Sequence, residues 1–314
     1  MTRLYIHSAK AAHFLQWELP QWAKEFELVD TPSSDTLLMS FGPDVLDEAA
    51  HLPARERFAV LFPGFSFNPV RDLALRARQR GLIEERFRQV FINPGPLEIA
   101  YQGLPNVSHY PFSVDTRLVG FTRYRTTIDS LLHVSYDNPQ KDWQRSEAVM
   151  LKTGLPYEVY PPRNRVLLRR EHRARIRMAR LRGLVGKRDV VLPVGYVSHR
   201  STVRKYRAYD GFVHVARDVR HPEFIDGKYT ASLIEAGVSG AILFWHDTWG
   251  LGNGLETVVE LPAGSAAAAE QILDIRRSVD VQALSRATRE EMMDTFTPQH
   301  SVAVRANRIR ELLS

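Results

Sequence analysis

The sequence predicts an α/β protein made of two Rossmann-like domains that face each other across a cleft. Three observations predict it. Short apolar runs of strand type alternate with helical segments in two successive series, and a stretch at 106–127 with no clear period lies between them. From 264 onward the chain reads as helical, without a strand-like run. A length of 314 residues suits two domains of ordinary size, each with its own core. Strand–helix alternation argues for parallel sheets covered by helices, with the cleft at the carboxyl ends of the strands. The expected division is a first domain at 1–118, a linker at 119–129, a second domain at 130–290, and a terminal helix at 291–314 that packs back on the first domain.

The elements follow in order. "RLYIH" at 3–7 reads as a strand and "AHFLQWELPQWAKEF" as a helix. "ELV" and "TLLMSF" are strands, "PDVLDEAAHL" a helix, "RFAVLF" a strand, "NPVRDLALRARQRG" a helix and "QVFIN" a strand. The second series opens with the strand "SLLHVSY" at 130–136, a helix at 141–153 and the strand "YEVYP". A basic helix at 166–183, the strand "VVLPVGYV", a helix at 199–207 and the strand "GFVHVA" come next. "TASLIEAG" is a short helix with Gly237 as its stop, "AILFW" a buried strand, and "LETVVEL" the last strand.

Composition narrows the function. An apolar fraction of 44% and a charged fraction of 25% are those of a globular protein. The absence of Cys removes disulfides, Cys-ligated zinc and thiol catalysis, and it fits a reducing cytoplasm. No stretch approaches the roughly 20 apolar residues of a membrane span, and the first residues hold no continuous apolar run of signal type. A net charge of +6 favours anionic partners: nucleotides, phospholipid surfaces or nucleic acid. The densest basic run, "RNRVLLRREHRARIRMARLRGLVGKR", keeps Leu168, Ile176, Ala179 and Leu184 near one side, with Arg169, Arg173, Arg177 and Arg180 among the rest. It reads as a solvated helix, or as a surface that docks on the inner face of an anionic membrane or on DNA. Because it lacks interleaved aromatics, lipid is preferred to DNA. No Asp-x-Asp metal pair stands out.

Loops after the first-half strands carry His7, Lys10 and His13, then Asp44, then Ser66 and Asn68, then Asn93. His13 and Asp44 have the chemistry of a general base. In the second half a lone acid, Glu235, stands inside an apolar helix, and its plainest reading is a solvated helix edge.

Four pieces then follow in a telling order: "LLHVSYDNPQKDW", "VGYVSHRSTVRKYRAYDGFVHVA", "DGKYTASLIEAGVSGAILF" and "GNGLETVVEL". Over 130–262 this order resembles the nucleotide-sugar domain of the GT-B glycosyltransferases, most closely the retaining family 4 type. The resemblance implies that Glu235 accepts hydrogen bonds from the nucleotide ribose, as a carboxylate with free lone pairs can. The loop "DGKYT", with Lys228, Tyr229 and Thr230, would turn its amides and a helix N-terminus toward a pyrophosphate. Gly227 would let the backbone come close. Lys141 falls where the family carries its phosphate lysine, whose charge stabilises the departing diphosphate. Tyr136 stands in place of the companion arginine, with Lys228 or Arg200 as substitutes. The family's first acid, which touches the sugar, is Gly227 here with Asp226 beside it, and the histidine that usually follows a strand like "TLLMSF" is replaced by Phe41 and Gly42. The implied activity is transfer of a sugar from a nucleotide-diphosphate donor to a glycan or lipid-linked acceptor, with no metal and no cofactor other than the donor as co-substrate. Alternatives are transfer to a modified base in DNA, a sugar-nucleotide epimerase of the same architecture, or a non-catalytic nucleic-acid-binding protein.

Overall fold

The computed structural model describes residues 2–8, 14–62, 69–70, 72–111, 113–135, 143–160, 199–215, 228–248, 250 and 254–314, without the side chains of 199–201. Its first unit is a parallel sheet of β1 (Arg3–Ser8), β2 (Glu27–Val29), β3 (Leu37–Phe41), β4 (Glu56–Leu61), β5 (Gln89–Ile92) and β6 (Val107–His109), in the spatial order β2-β1-β3-β4-β5-β6. Its helices are α1 (Leu15–Glu25), α2 (Leu46–Ala49), α3 (Leu73–Arg86) and α4 (Pro96–Tyr101). Strands β3 and β5 and the second half of β4 are buried on both faces and therefore read as continuous apolar runs. Leu37, Met39 and Phe41 of β3 point to one cluster with Trp22 and Phe26, while Leu38 points to the other with Leu46, Ile83 and Leu97.

The second unit is also parallel: β7 (Leu131–Val134), β8 (Tyr157–Tyr160), β9 (Gly211–Val215), β10 (Ile242–His246) and β11 (Val259–Glu260), ordered β11-β10-β9-β7-β8. Around it lie α5 (Thr116–Val119), α6 (Trp143–Thr153), α7 (His199–Ala208), α8 (Ala231–Val238), α9 (Ser265–Ser278) and α10 (Val281–Thr295). Leu132, Phe212, Leu243 and Trp245 pack on α8 and α10, and Leu131, Val213, Ile242 and Phe244 on α6 and α9.

Three sequence expectations change. The stretch at 106–127 is more than a connector, since it contains the edge strand β6 and the helix α5; both are too short for a period to show. Helix α3 starts only at Leu73, capped by Asp72, and continues past Gly81 to Arg86. Gly237 does not stop α8. It lies inside the helix, where a Cβ would meet Met292 Cγ at 2.6 Å and Leu243 Cδ1 at 2.9 Å, so it serves the close approach of α10. The turn is made by Gly240, at φ +86, a conformation few other residues adopt.

Among the described residues the chain crosses between the units twice, side by side. Val114 N–H on the outward crossing donates to Phe296 O on the return, at 2.9 Å. Beyond it α11 (Pro298–Leu313), with Thr297 as N-cap, packs against α1 and the first sheet through Val302, Ala306 and Ile309. Arg305 of α11 and Glu18 of α1 form an ion pair at 2.7 Å with both side chains fully buried. Ser113 donates to the same carboxylate, and the guanidinium lies 4.7 Å from the Tyr110 ring centroid. On the second unit, buried Arg125 donates to the carbonyls of Tyr206, Arg207 and Tyr209, holding the linker on the C-terminal end of α7. Burial pushes its guanidinium down, to about 10.

Candidate functional site

In a parallel open sheet, ligands bind outside the carboxyl ends of the strands where the strand order reverses. The first sheet reverses between β1 and β3, the second between β7 and β9. The segment carrying His13 leaves β1, and Asp44 follows β3 in a tight 3₁₀ turn (Pro43–Val45), where its side chain is exposed. The segment carrying Tyr136 and Lys141 leaves β7, and the one carrying Asp226 and Gly227 leaves β9. His13, Tyr136, Lys141, Asp226 and Gly227 lie outside the described residues, as do Lys10, Ser66, Asn68 and the basic run at 166–183. Arg200 is the second residue of α7, a helix whose other end feeds β9 through Tyr209 and Asp210, so it lies on the carboxyl-end side of the sheet.

One seam joins the loop after β9 to the carboxyl edge of the first sheet, at β5. Lys228 N–H, between the β9 loop and α8, donates to Pro94 O, just after β5, at 3.1 Å. Gly95 beside it has φ +131, and a Cβ there would stand 2.7 Å from Lys228 N. Only a glycine fits both the dihedral and the contact. Gly95 N–H also donates to Glu98 Oε1 at 2.6 Å, and Glu98 Oε2 lies 3.5 Å from His109 Nε2. A cavity of about 310 Å³ is lined by this acid and by Ile92, Leu104, Val107 and His109 among others.

The residues before and inside α8 are arranged as a buried platform. Thr230 is the N-cap, its hydroxyl accepting from Leu233 N–H at 3.3 Å. Tyr229 is held among Trp245 and Phe296, and its phenol oxygen accepts from Gly254 N–H at 2.9 Å. Burial pushes that phenol up, to about 12, so it stays neutral. Lys228 is 6% exposed, with Nζ 5.6 Å from the Tyr229 ring centroid. Glu235 is 7% exposed. That removes the solvated-edge reading, because a carboxylate is taken from water only where something is there to meet it. In the first unit Asn93 is buried beside the seam, and His7 Nε2 lies 3.3 Å from Glu48 Oε2.

Sequence reasoning named Asn93 but missed Pro94, Gly95, Glu98 and His109. A glycine set between two prolines after a strand, "NPGP", is the signal that could have found the seam. Among the described residues no group of three or more His, Cys, Asp or Glu is placed to hold a metal ion, and no helix is long and apolar enough to cross a membrane.

No protein-family model and no curated protein matches the sequence. Solved structures do match. HepE from Anabaena, solved with UDP and glucose, superposes with a TM-score of 0.57 at 11% identity, covering 100% of this chain and 99% of that one. A Rickettsia africae glycosyltransferase gives 0.61 at 10% identity, covering 100% and 98%. The fold is GT-B. TarM of S. aureus gives 0.58 at 15% identity over 88% of this chain, which spans only 55% of TarM. At these identities the likeness is one of fold, and it covers both units and the cleft between them.

Proposed function

We propose that this GT-B protein is a glycosyltransferase. It moves a sugar from a nucleotide-diphosphate donor, bound by the second unit, to a glycan or lipid-linked acceptor bound by the first. The observation that carries the reading is the Lys228–Pro94 seam, which sets the platform before α8 against the carboxyl edge of the first sheet. HepE and TarM, of the same fold, were solved with UDP. The motif order over 130–262 favours the retaining family 4 type.

In this reading Glu235 accepts from the ribose, and Gly227, Tyr229 and Thr230 shape the approach to the diphosphate. Lys141 and Lys228, with Arg200 substituting for the family arginine that Tyr136 replaces, stabilise the negative charge that develops as the glycosidic bond breaks. Asp226 contacts the sugar. His13 and Asp44 approach the acceptor from the first sheet, and the cavity beside Glu98 offers it room. Closure about the paired crossings would exclude water, so that transfer outruns donor hydrolysis. An anionic membrane is the expected site of a lipid-linked acceptor.

Radiolabelled UDP-sugars incubated with the protein, with and without glycan acceptors, test the proposal. Slow release of free sugar without acceptor, and labelled product with it, is the expected result. Interconversion of one UDP-sugar into another would make it an epimerase. No binding of any nucleoside diphosphate in a thermal-shift screen would sink the donor site, since ligand at a hundred times its dissociation constant adds roughly 2.7 kcal/mol of stability.

A further inference from the structure

The second sheet opens within itself at the point where its strand order reverses. Strand β7 pairs with β9 at Leu131↔Gly211 and Leu132↔Phe212, while with β8 it stays in register to Val134↔Tyr160. Ser135 N–H extends that β8 ladder by donating to Tyr160 O at 2.9 Å. Strand β9 keeps to β10 as far as Val215↔His246. The pairing of the two central strands therefore ends at Leu132, which leaves a gap in the ladder on the side of the cleft.

His133 fills the base of this gap. Its ring is fully buried and lies parallel to that of His214, with centroids 5.8 Å apart and 3° between the planes. His133 Nδ1 is 2.8 Å from Val213 O. A carbonyl can only accept, so Nδ1 carries the proton, and in the neutral ring Nε2 presents a lone pair. Nε2 is 3.0 Å from Ser135 Oγ, whereas Tyr160 O, the other acceptor near the hydroxyl among the described residues, is 3.5 Å away. The single hydroxyl proton thus goes to the imidazole. What Ser135 has left are lone pairs, on a half-buried oxygen at the mouth of the gap.

We propose that Ser135 Oγ is a ligand-contacting hydrogen-bond acceptor in the donor site, and that His133 is the residue that positions it. The inference rests on the donor reading above and adds the kind of group the site takes. A phosphate oxygen offers no proton and does not suit Ser135, whereas a hydroxyl of the nucleotide-sugar does. That hydroxyl belongs either to the ribose or to the transferred sugar.

Calorimetry with UDP and UDP-glucose on the full chain tests this. Ser135→Ala should weaken binding by roughly threefold to tenfold, the loss of one neutral hydrogen bond. Ser135→Thr, which keeps the hydroxyl, should restore it; Ser135→Cys replaces the alanine variant if that one melts early. His133→Asn can still donate to Val213 O but cannot hold the serine proton, so it should lose as much as Ser135→Ala. The double variant should lose no more than either single one, because the two residues act as a unit. A loss seen with both ligands assigns the hydroxyl to the ribose, and a loss confined to UDP-glucose assigns it to the sugar. Unchanged affinity in Ser135→Ala overturns the contact, and additive losses overturn the positioning by His133. If the unaltered protein binds neither these ligands nor any other nucleoside diphosphate, the donor reading falls and this inference falls with it.

Discussion

Glu235 shows how burial changes the meaning of a residue. On an exposed helix an acid among apolar neighbours is unremarkable, but at 7% exposure it must be met by partners or ligand. Glu235→Ala should weaken nucleoside-diphosphate binding by about 1.5–3 kcal/mol, the worth of hydrogen bonds to a charged acceptor, while the melting curve stays cooperative. Calorimetry giving an unchanged dissociation constant would remove Glu235 from the site. Tyr229 makes a second prediction. Its phenol is held up, at about 12, against a reference value of 10.0. A group with a raised folded pKa contributes stability that is complete below the unfolded value and lost as pH climbs through the folded one. Between pH 10 and 12 the urea midpoint should therefore fall more for the native chain than for Tyr229→Phe. Tyr101 and Tyr110, also pushed up by burial, act in the same direction in both chains and cancel in the difference.

At the scale of elements, the seam between the β5–α4 turn and the residues before α8 holds the carboxyl edges of the two sheets together. Gly95→Ala would force a left-handed dihedral on a residue with a Cβ and press that carbon on Lys228 N, where the gap is 2.7 Å. A strained backbone position costs on the order of 1–3 kcal/mol. The strain can also be relieved by opening the seam, so transfer should fall more steeply than global stability. Turnover and denaturant midpoint measured together on the same variant check this. Equal, unaltered values for both would mean that the seam has no part in the reaction.

For the whole molecule, the return of α11 to the first unit ties both ends of the chain together. Its lock is the Glu18–Arg305 pair, in which both side chains are fully buried. Removing one partner leaves an uncompensated charge in the core, so Arg305→Met should cost about 3–5 kcal/mol in guanidinium unfolding. The double change Glu18→Leu with Arg305→Met should recover much of that loss, since a buried pair replaced by apolar residues is often close to neutral. A single variant as stable as the native chain would show that α11 is held by its apolar face alone, through Val302, Ala306 and Ile309.

The sequence by itself determined the α/β class, the two sheets and most strands, because a strand buried on both faces must be written as a continuous apolar run, as "TLLMSF" and "GFVHVA" are. It also determined the short helix "TASLIEAG", which the structure starts after the N-cap Thr230. It did not reveal β6, whose three residues gain their place only by pairing with β5, nor the true end of α8, where Gly237 answers to Met292 some distance along the chain. The site divides in the same way. That Asp44 follows a strand was readable, but the contact of Gly95 with Lys228 and the bond of the His133 ring to Val213 O were not. Gly95 and Lys228 meet because the two sheets face each other, and proximity across a fold leaves no period in a sequence.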